Sequence, residues 1–135
     1  MKVDIEDSAG YDFIAPYDFM IEAGKVKKIG SGIKANLNSD EVLMLVPRSS
    51  IGIKKGISLA NTVGIVDSDY YNNNDNEGHI LFFLKNNTDS NIFINKGTKI
   101  IQGIVIKYQT TGEYIKETRV GGIGSTTVEQ HKPQP

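Results

Sequence analysis

The chain has 135 residues, no cysteine, and 15 basic against 16 acidic side chains, for a net charge of −1. That length fits one domain, whose core can bury roughly two-thirds of the unfolded chain's surface without help from disulfides or metal. The composition excludes a disulfide framework, a thiolate zinc site and a cysteine nucleophile, and it offers no basic face for duplex nucleic acid.

The chain opens MKVDIED, charged and without an apolar h-region, so no signal peptide is expected. AGYD at 9–12 follows at once, with Asp12 in a turn by default. IKANL at 33–37 and VLMLV at 42–46 are predicted strands. PRSSIG at 47–52 predicts a short helix capped by Ser49 or Ser50. In NTVGIVDSDY at 61–70, alternation predicts a strand with Asn61, Val63, Ile65 and Asp67 on one face. NNNDNEG at 72–78 is a polar, mobile-looking insertion. ILFFL at 80–84 and IFI at 92–94 are predicted strands, joined through NNTDSN at 86–91 as a hairpin loop. NKG at 95–97 is a tight turn before the strand IIQGIVIKY at 100–108, where Gln102 interrupts an apolar run and calls for an edge or outward position. The apolar runs stop at about five residues, too short to cross a bilayer, so a cytoplasmic protein with no membrane and no nucleic-acid partner is expected. From 112 the chain alternates glycine with polar residues and can supply little core. The whole reads as an all-β domain over 1–111 with a flexible C-terminal arm over 112–135.

Five segments carry groups with chemical potential. A carboxylate at the end of the 61–70 strand, Asp67, can act as a general base toward water. Ser49, Ser50 and Gly52 at a helix start, beside the donor fork of Arg48, suit phosphate. GGIGST at 121–126 can wrap a phosphate closely, with Ser125 and Thr126 as donors, although it lacks the lysine of a P-loop. Asp12 and Gln102 complete the set. His79 and His131 have no metal spacing, and the 72–78 insertion lacks the closing glutamate of a calcium loop.

In this order AGYD (9–12), PRSS (47–50), NTVGIVDSDY (61–70), GTKIIQ (97–102) and RVGGIGST (119–126) resemble the five motifs of the trimeric dUTPase family. The resemblance implies a jelly-roll-like β-sandwich or barrel assembled as a homotrimer, with active sites at subunit interfaces. It implies hydrolysis of dUTP to dUMP and diphosphate, with Mg2+ on the triphosphate, keeping uracil out of DNA and supplying dUMP for dTMP synthesis. By this resemblance Asp67 is the base that activates water, and Gln102 and Arg48 assist at the phosphates. Ser49, Ser50 and Gly52 form the phosphate cradle. Asn61 and the hairpin backbone at Gly64 read uracil, and the Tyr70 ring lies against the deoxyribose. Asp12 touches the metal's water shell. Arg119, Gly124, Ser125 and Thr126 close over the β- and γ-phosphates, and Ile123 covers the base.

Four departures from the family pattern stand out. Ile123 replaces an aromatic residue, so it would cover uracil by dispersion rather than stacking. Residues 71–77 are inserted beside the third motif. The first motif begins so near the start that an initial strand would be short or absent. The chain ends STTVEQHKPQP, where a glycine commonly follows the threonine. Two alternatives stay open: a dCTP deaminase or bifunctional relative of the same fold, which needs a glutamate at the pyrimidine amine, and a phage-type regulatory protein that binds a repressor through 71–78.

Overall fold

The computed structural model describes residues 2–3 and 10–111. Ten strands form the fold: β1 (Lys2–Val3), β2 (Tyr11–Ile14), β3 (Phe19–Ile21), β4 (Val26–Gly30), β5 (Glu41–Pro47), β6 (Ile57–Leu59), β7 (Gly64–Asp67), β8 (Leu81–Asn86), β9 (Ile92–Ile94) and β10 (Lys99–Lys107). All pairings are antiparallel. A five-stranded sheet runs β1-β2-β10-β5-β7, a three-stranded one β4-β8-β6, and β3 pairs with β9. Together they make the expected all-β jelly roll.

One core joins the three sheets. Phe13, Leu43, Leu45, Val66 and Ile101 fill it from the first, Ile29, Ile57, Leu59, Phe82 and Leu84 from the second, and Phe19, Ile21 and Ile94 from the third. The Phe13 and Phe82 rings meet edge to face with centroids 5.3 Å apart, which fastens the two larger sheets across the centre. β1 pairs with β2 through Lys2 and Val3.

The register shifts between Lys99 and Ile101, a β-bulge in β10. The extra residue lets Ile100 and Ile101, neighbours in sequence, both point into the core. Gln102 then faces outward, half-buried, on a central strand with β2 on one side and β5 on the other. It is therefore not an edge residue.

Several local expectations differ from the structure, beginning with Asp12, which lies within β2 and not in a turn. Residues 33–37 are not a strand. Ile33, Ala35 and Leu37 still pack on the core in alternation, but the segment has no ladder partner beyond the Ile80 N–H bonded to the Ile33 carbonyl. Residues 86–91 are not a hairpin loop. β8 and β9 lie in different sheets, and this segment is the corner between them. Buried Asn86 holds the corner, donating to the Ile21 and Ser90 carbonyls and accepting from the Thr88 N–H. The expected helix after Pro47 is a single helical turn, Ser50–Lys54. Ser49 precedes it with helical dihedrals and makes no capping bond, because a cap needs an extended residue at that position.

Candidate functional site

Three of the five motifs meet on the outward face of the five-stranded sheet. Asp12 on β2 lies opposite Gln102 on β10, which lies opposite Val46 on β5. Two residues beyond Val46, Arg48 turns back and donates its Nη1 to Asp12 Oδ1. Gly10 leaves room for the Gln102 amide, since a Cβ there would sit 3.0 Å from Gln102 Oε1.

Asp12 is 3% exposed, and Arg48 and Lys99 neutralise it. Lys99 Nζ stands 3.4 Å from Oδ2, which has no hydrogen-bond partner among the described residues. Lys99 lies within GTKIIQ yet drew no role from the sequence, because its proximity to Asp12 depends on the bulge. Among the described residues no group of three or more His, Cys, Asp or Glu could hold a metal ion. The buried Oδ2 marks Asp12 as the acceptor that would link to the water shell of an ion carried on a ligand.

Ser49 and Ser50 are exposed at the start of the helical turn. Ile51 and Gly52 both donate their N–H to the Arg48 carbonyl, at 2.9 and 2.8 Å, so the Gly52 amide is already engaged inside the turn. The Arg48 N–H is tied to the Ile100 carbonyl, which anchors the turn beside β10.

The third motif stands apart from this cluster. β7 begins at Gly64, so Asn61 and Val63 belong to the preceding turn and share no strand face with Ile65 and Asp67. Gly64 lies flush on Leu45, whose Cβ would be 3.0 Å from an added Cβ. The Val63 N–H bonds the Asn61 carbonyl across Thr62, which has φ +71°, a strained conformation for a β-branched residue. Asn61 and Asp67 are exposed at opposite ends of this segment. Asp67 pairs with Val42, four residues along β5 from Val46. With strand rise and spacing at their usual values, Asp67 and Gln102 are roughly 16 Å apart in one chain.

A 3₁₀ turn, Ser68–Tyr70, follows Asp67 and sets Tyr70 half-buried against the core. The Tyr70 hydroxyl donates to the His79 carbonyl and accepts from Asn76 Nδ2, both at 2.8 Å. The His79 ring covers Gly30 and accepts the Gly32 N–H at Nε2, a structural role. Asn76 went unnoticed in the sequence because only a folded-back loop brings it to Tyr70. Arg119, Ile123, Gly124, Ser125 and Thr126, with the rest of 112–135, lie outside the described residues.

A family model described as dUTPase matches residues 1–127. Among curated proteins, the deoxyuridine 5'-triphosphate nucleotidohydrolase of Lactococcus lactis subsp. lactis is 42% identical over 128 residues, covering 93% of this chain and 85% of its own. That of Rickettsia felis is 35% identical over 131 residues, covering 91% and 84%. Among solved structures, the dUTPase from Streptococcus mutans superposes with a TM-score of 0.77 at 38% identity, covering 83% of this chain and 88% of that one.

Proposed function

The chain belongs to the dUTPase family, and we propose from that premise how its residues divide the hydrolysis of dUTP to dUMP and diphosphate. Water attacks the α-phosphorus, the bond to the bridging oxygen breaks, and diphosphate leaves. Asp67 takes the proton from the attacking water, for which an exposed carboxylate at a strand end is suited. Gln102 and Arg48 face the α-phosphate. The hydroxyls of Ser49 and Ser50 and the N–H of Ser50 hold the other phosphates. Gly52 shapes the turn while its N–H stays on the Arg48 carbonyl.

Asn61 and the backbone at Gly64 take the uracil edge, and the Tyr70 ring takes the sugar face. A site built to pair with uracil leaves groups unpaired against cytosine. Arg119, Ile123, Gly124, Ser125 and Thr126 close over the nucleotide and exclude water. Mg2+ would enter with the triphosphate as part of the substrate, with Asp12 linked to its water shell, and would supply neutralisation of the phosphate oxygens.

The observation that carries this reading is the row Asp12, Gln102, Val46 with Arg48 folded over it. The separation of Asp67 from that row supports a homotrimer in which different copies supply the two halves of a site. So does the outward face of β5, β7 and β10, where Val42, Met44, Val46, Ile65, Ile104 and Ile106 are half-buried or exposed. No helix among the described residues is long and apolar enough to cross a membrane, and a cytoplasmic enzyme is the reading we retain.

Diphosphate release measured across dUTP, UTP, dCTP and dTTP tests the proposal. Turnover of dUTP at least about a hundredfold above the others is expected, since a paired base edge discriminates at that level or better. Ammonia release from dCTP would instead establish the deaminase.

A further inference from the structure

We propose that Asn76, inside the 72–77 insertion, is a positioning residue for Tyr70, and that the insertion is thereby part of the wall that selects the sugar. This rests on the reading that the Tyr70 ring lies against the deoxyribose.

The insertion is polar throughout, and its composition suggests a mobile loop. The structure has it tied by its own bonds. Asn73 is 6% exposed. Its Oδ1 accepts the N–H groups of Asp75 and Asn76, and its Nδ2 donates to the Tyr70 carbonyl at 2.7 Å and to Asn76 Oδ1 at 2.9 Å. Backbone bonds from Asn72 to Glu77 and from Glu77 to Asn73 close the loop. Gly78 ends it with φ +91°, where a Cβ would lie 2.9 Å from the backbone of residues 71 and 72. Lys34 braces the outer side, donating to Asn72 Oδ1 at 2.6 Å with its ammonium over the Tyr71 ring.

The purpose of such internal order becomes clear at Asn76. Its Oδ1 accepts from Gly78 and Asn73, which fixes the amide plane and aims Nδ2 at the Tyr70 hydroxyl. That hydroxyl also donates to the His79 carbonyl. Two bonds at the far end of the ring, with the Asn73 bonds to the Tyr70 carbonyl at the near end, hold the ring plane at both ends. Rejecting a 2′-hydroxyl by contact requires a wall that does not yield by more than a fraction of an ångström. A tyrosine held only at its backbone could tilt away from the extra oxygen. Asn76 and the His79 carbonyl together remove that freedom.

The test reads kcat/KM for dUTP and for UTP, taken as a ratio, on the full-length assembled protein. A merely structural loss lowers both values and leaves the ratio in place. Asn76→Ala, which removes one of the hydroxyl's two bonds, should lower the ratio about fivefold; Tyr70→Phe, which removes both, should lower it at least as much, and the double variant no further than Tyr70→Phe alone. Because Tyr70→Phe leaves the loop's internal bonds intact, it keeps the test open if Asn76→Ala folds poorly: an unchanged ratio in Tyr70→Phe overturns the proposal. An unchanged ratio in a folded Asn76→Ala, or additive effects in the double variant, also overturns it. Tyr70→Ala separates the two levels of the argument. A collapsed ratio there with a normal ratio in Asn76→Ala refutes only the positioning role, whereas a normal ratio in Tyr70→Ala removes the ring from the sugar altogether.

Discussion

Arg48 donates to Asp12 across the central strand of the sheet, so that the residue leaving β5 is tethered to β2 directly above Gln102. The pair is lopsided: the Asp12 side chain is 3% exposed and that of Arg48 30%. Deprived of its partner, the arginine can hydrate and the carboxylate cannot. Arg48→Ala should therefore cost about 2–3 kcal/mol of stability, and Asp12→Asn, which keeps shape and an acceptor, about 1 kcal/mol. Urea unfolding with an unchanged slope would measure both. Equal costs would mean that Lys99 compensates for Arg48.

Asp67→Asn should leave assembly and dUTP affinity in place while kcat falls by about three orders of magnitude, the scale of a lost general base. Equilibrium binding of a non-hydrolysable analogue beside steady-state turnover checks it. Near-normal turnover would mean that the base has been assigned to the wrong carboxylate.

Two inactive chains should complement each other. If one copy supplies Asp67 and another Gln102, random mixing of Asp67→Asn with Gln102→Ala chains restores both residues at about a quarter of the sites. Unfolding, mixing and refolding the two variants and then assaying turnover reads this out. A site contained in one chain would recover nothing.

A chain ending at Tyr114 should keep the melting temperature of the full-length protein, because the residues removed are mostly glycine and polar, yet lose at least about a hundredfold in kcat/KM for dUTP. Thermal unfolding and steady-state kinetics on the same preparation check it. Full activity in the shortened chain would strip Arg119, Ser125 and Thr126 of the closing role.

Thr62 holds φ +71° beside the hairpin assigned to uracil. Asparagine accepts that conformation far better than a β-branched residue, so Thr62→Asn should raise stability by about 0.5–1 kcal/mol. A lower denaturation midpoint would mean that the threonine side chain contributes more than its backbone strain costs.

How much of this the sequence conveyed differs by element. VLMLV, ILFFL and IIQGIVIKY read directly as strands, because dense β-branched and aromatic runs between turn residues have few other uses. Residues 33–37 carried the same alternation and became an unpaired edge of the core, since alternation reports burial and not ladder partners. The 86–91 corner misled for a related reason. Turn composition announces that the chain reverses, but whether the next strand joins the same sheet depends on buried Asn86, whose partners are 65 residues away and four away. At the site, Asp12, Arg48, Gln102, Asp67 and Tyr70 could be named from ordered motifs. Lys99 and Asn76 could not, because a bulge and a folded-back loop bring them into place.

The bulge at the start of β10 also ties that strand to the turn after β5. The pairing with β5 begins only at Ile101, so deleting Ile100 would leave the pairs from Ile101 onward in place and make the pairing with β2 regular. It would remove a fully buried side chain and the carbonyl that takes the Arg48 N–H. The inserted residue is thus a fastening for the Ser50–Lys54 turn, and a deletion here would loosen Arg48 without altering it.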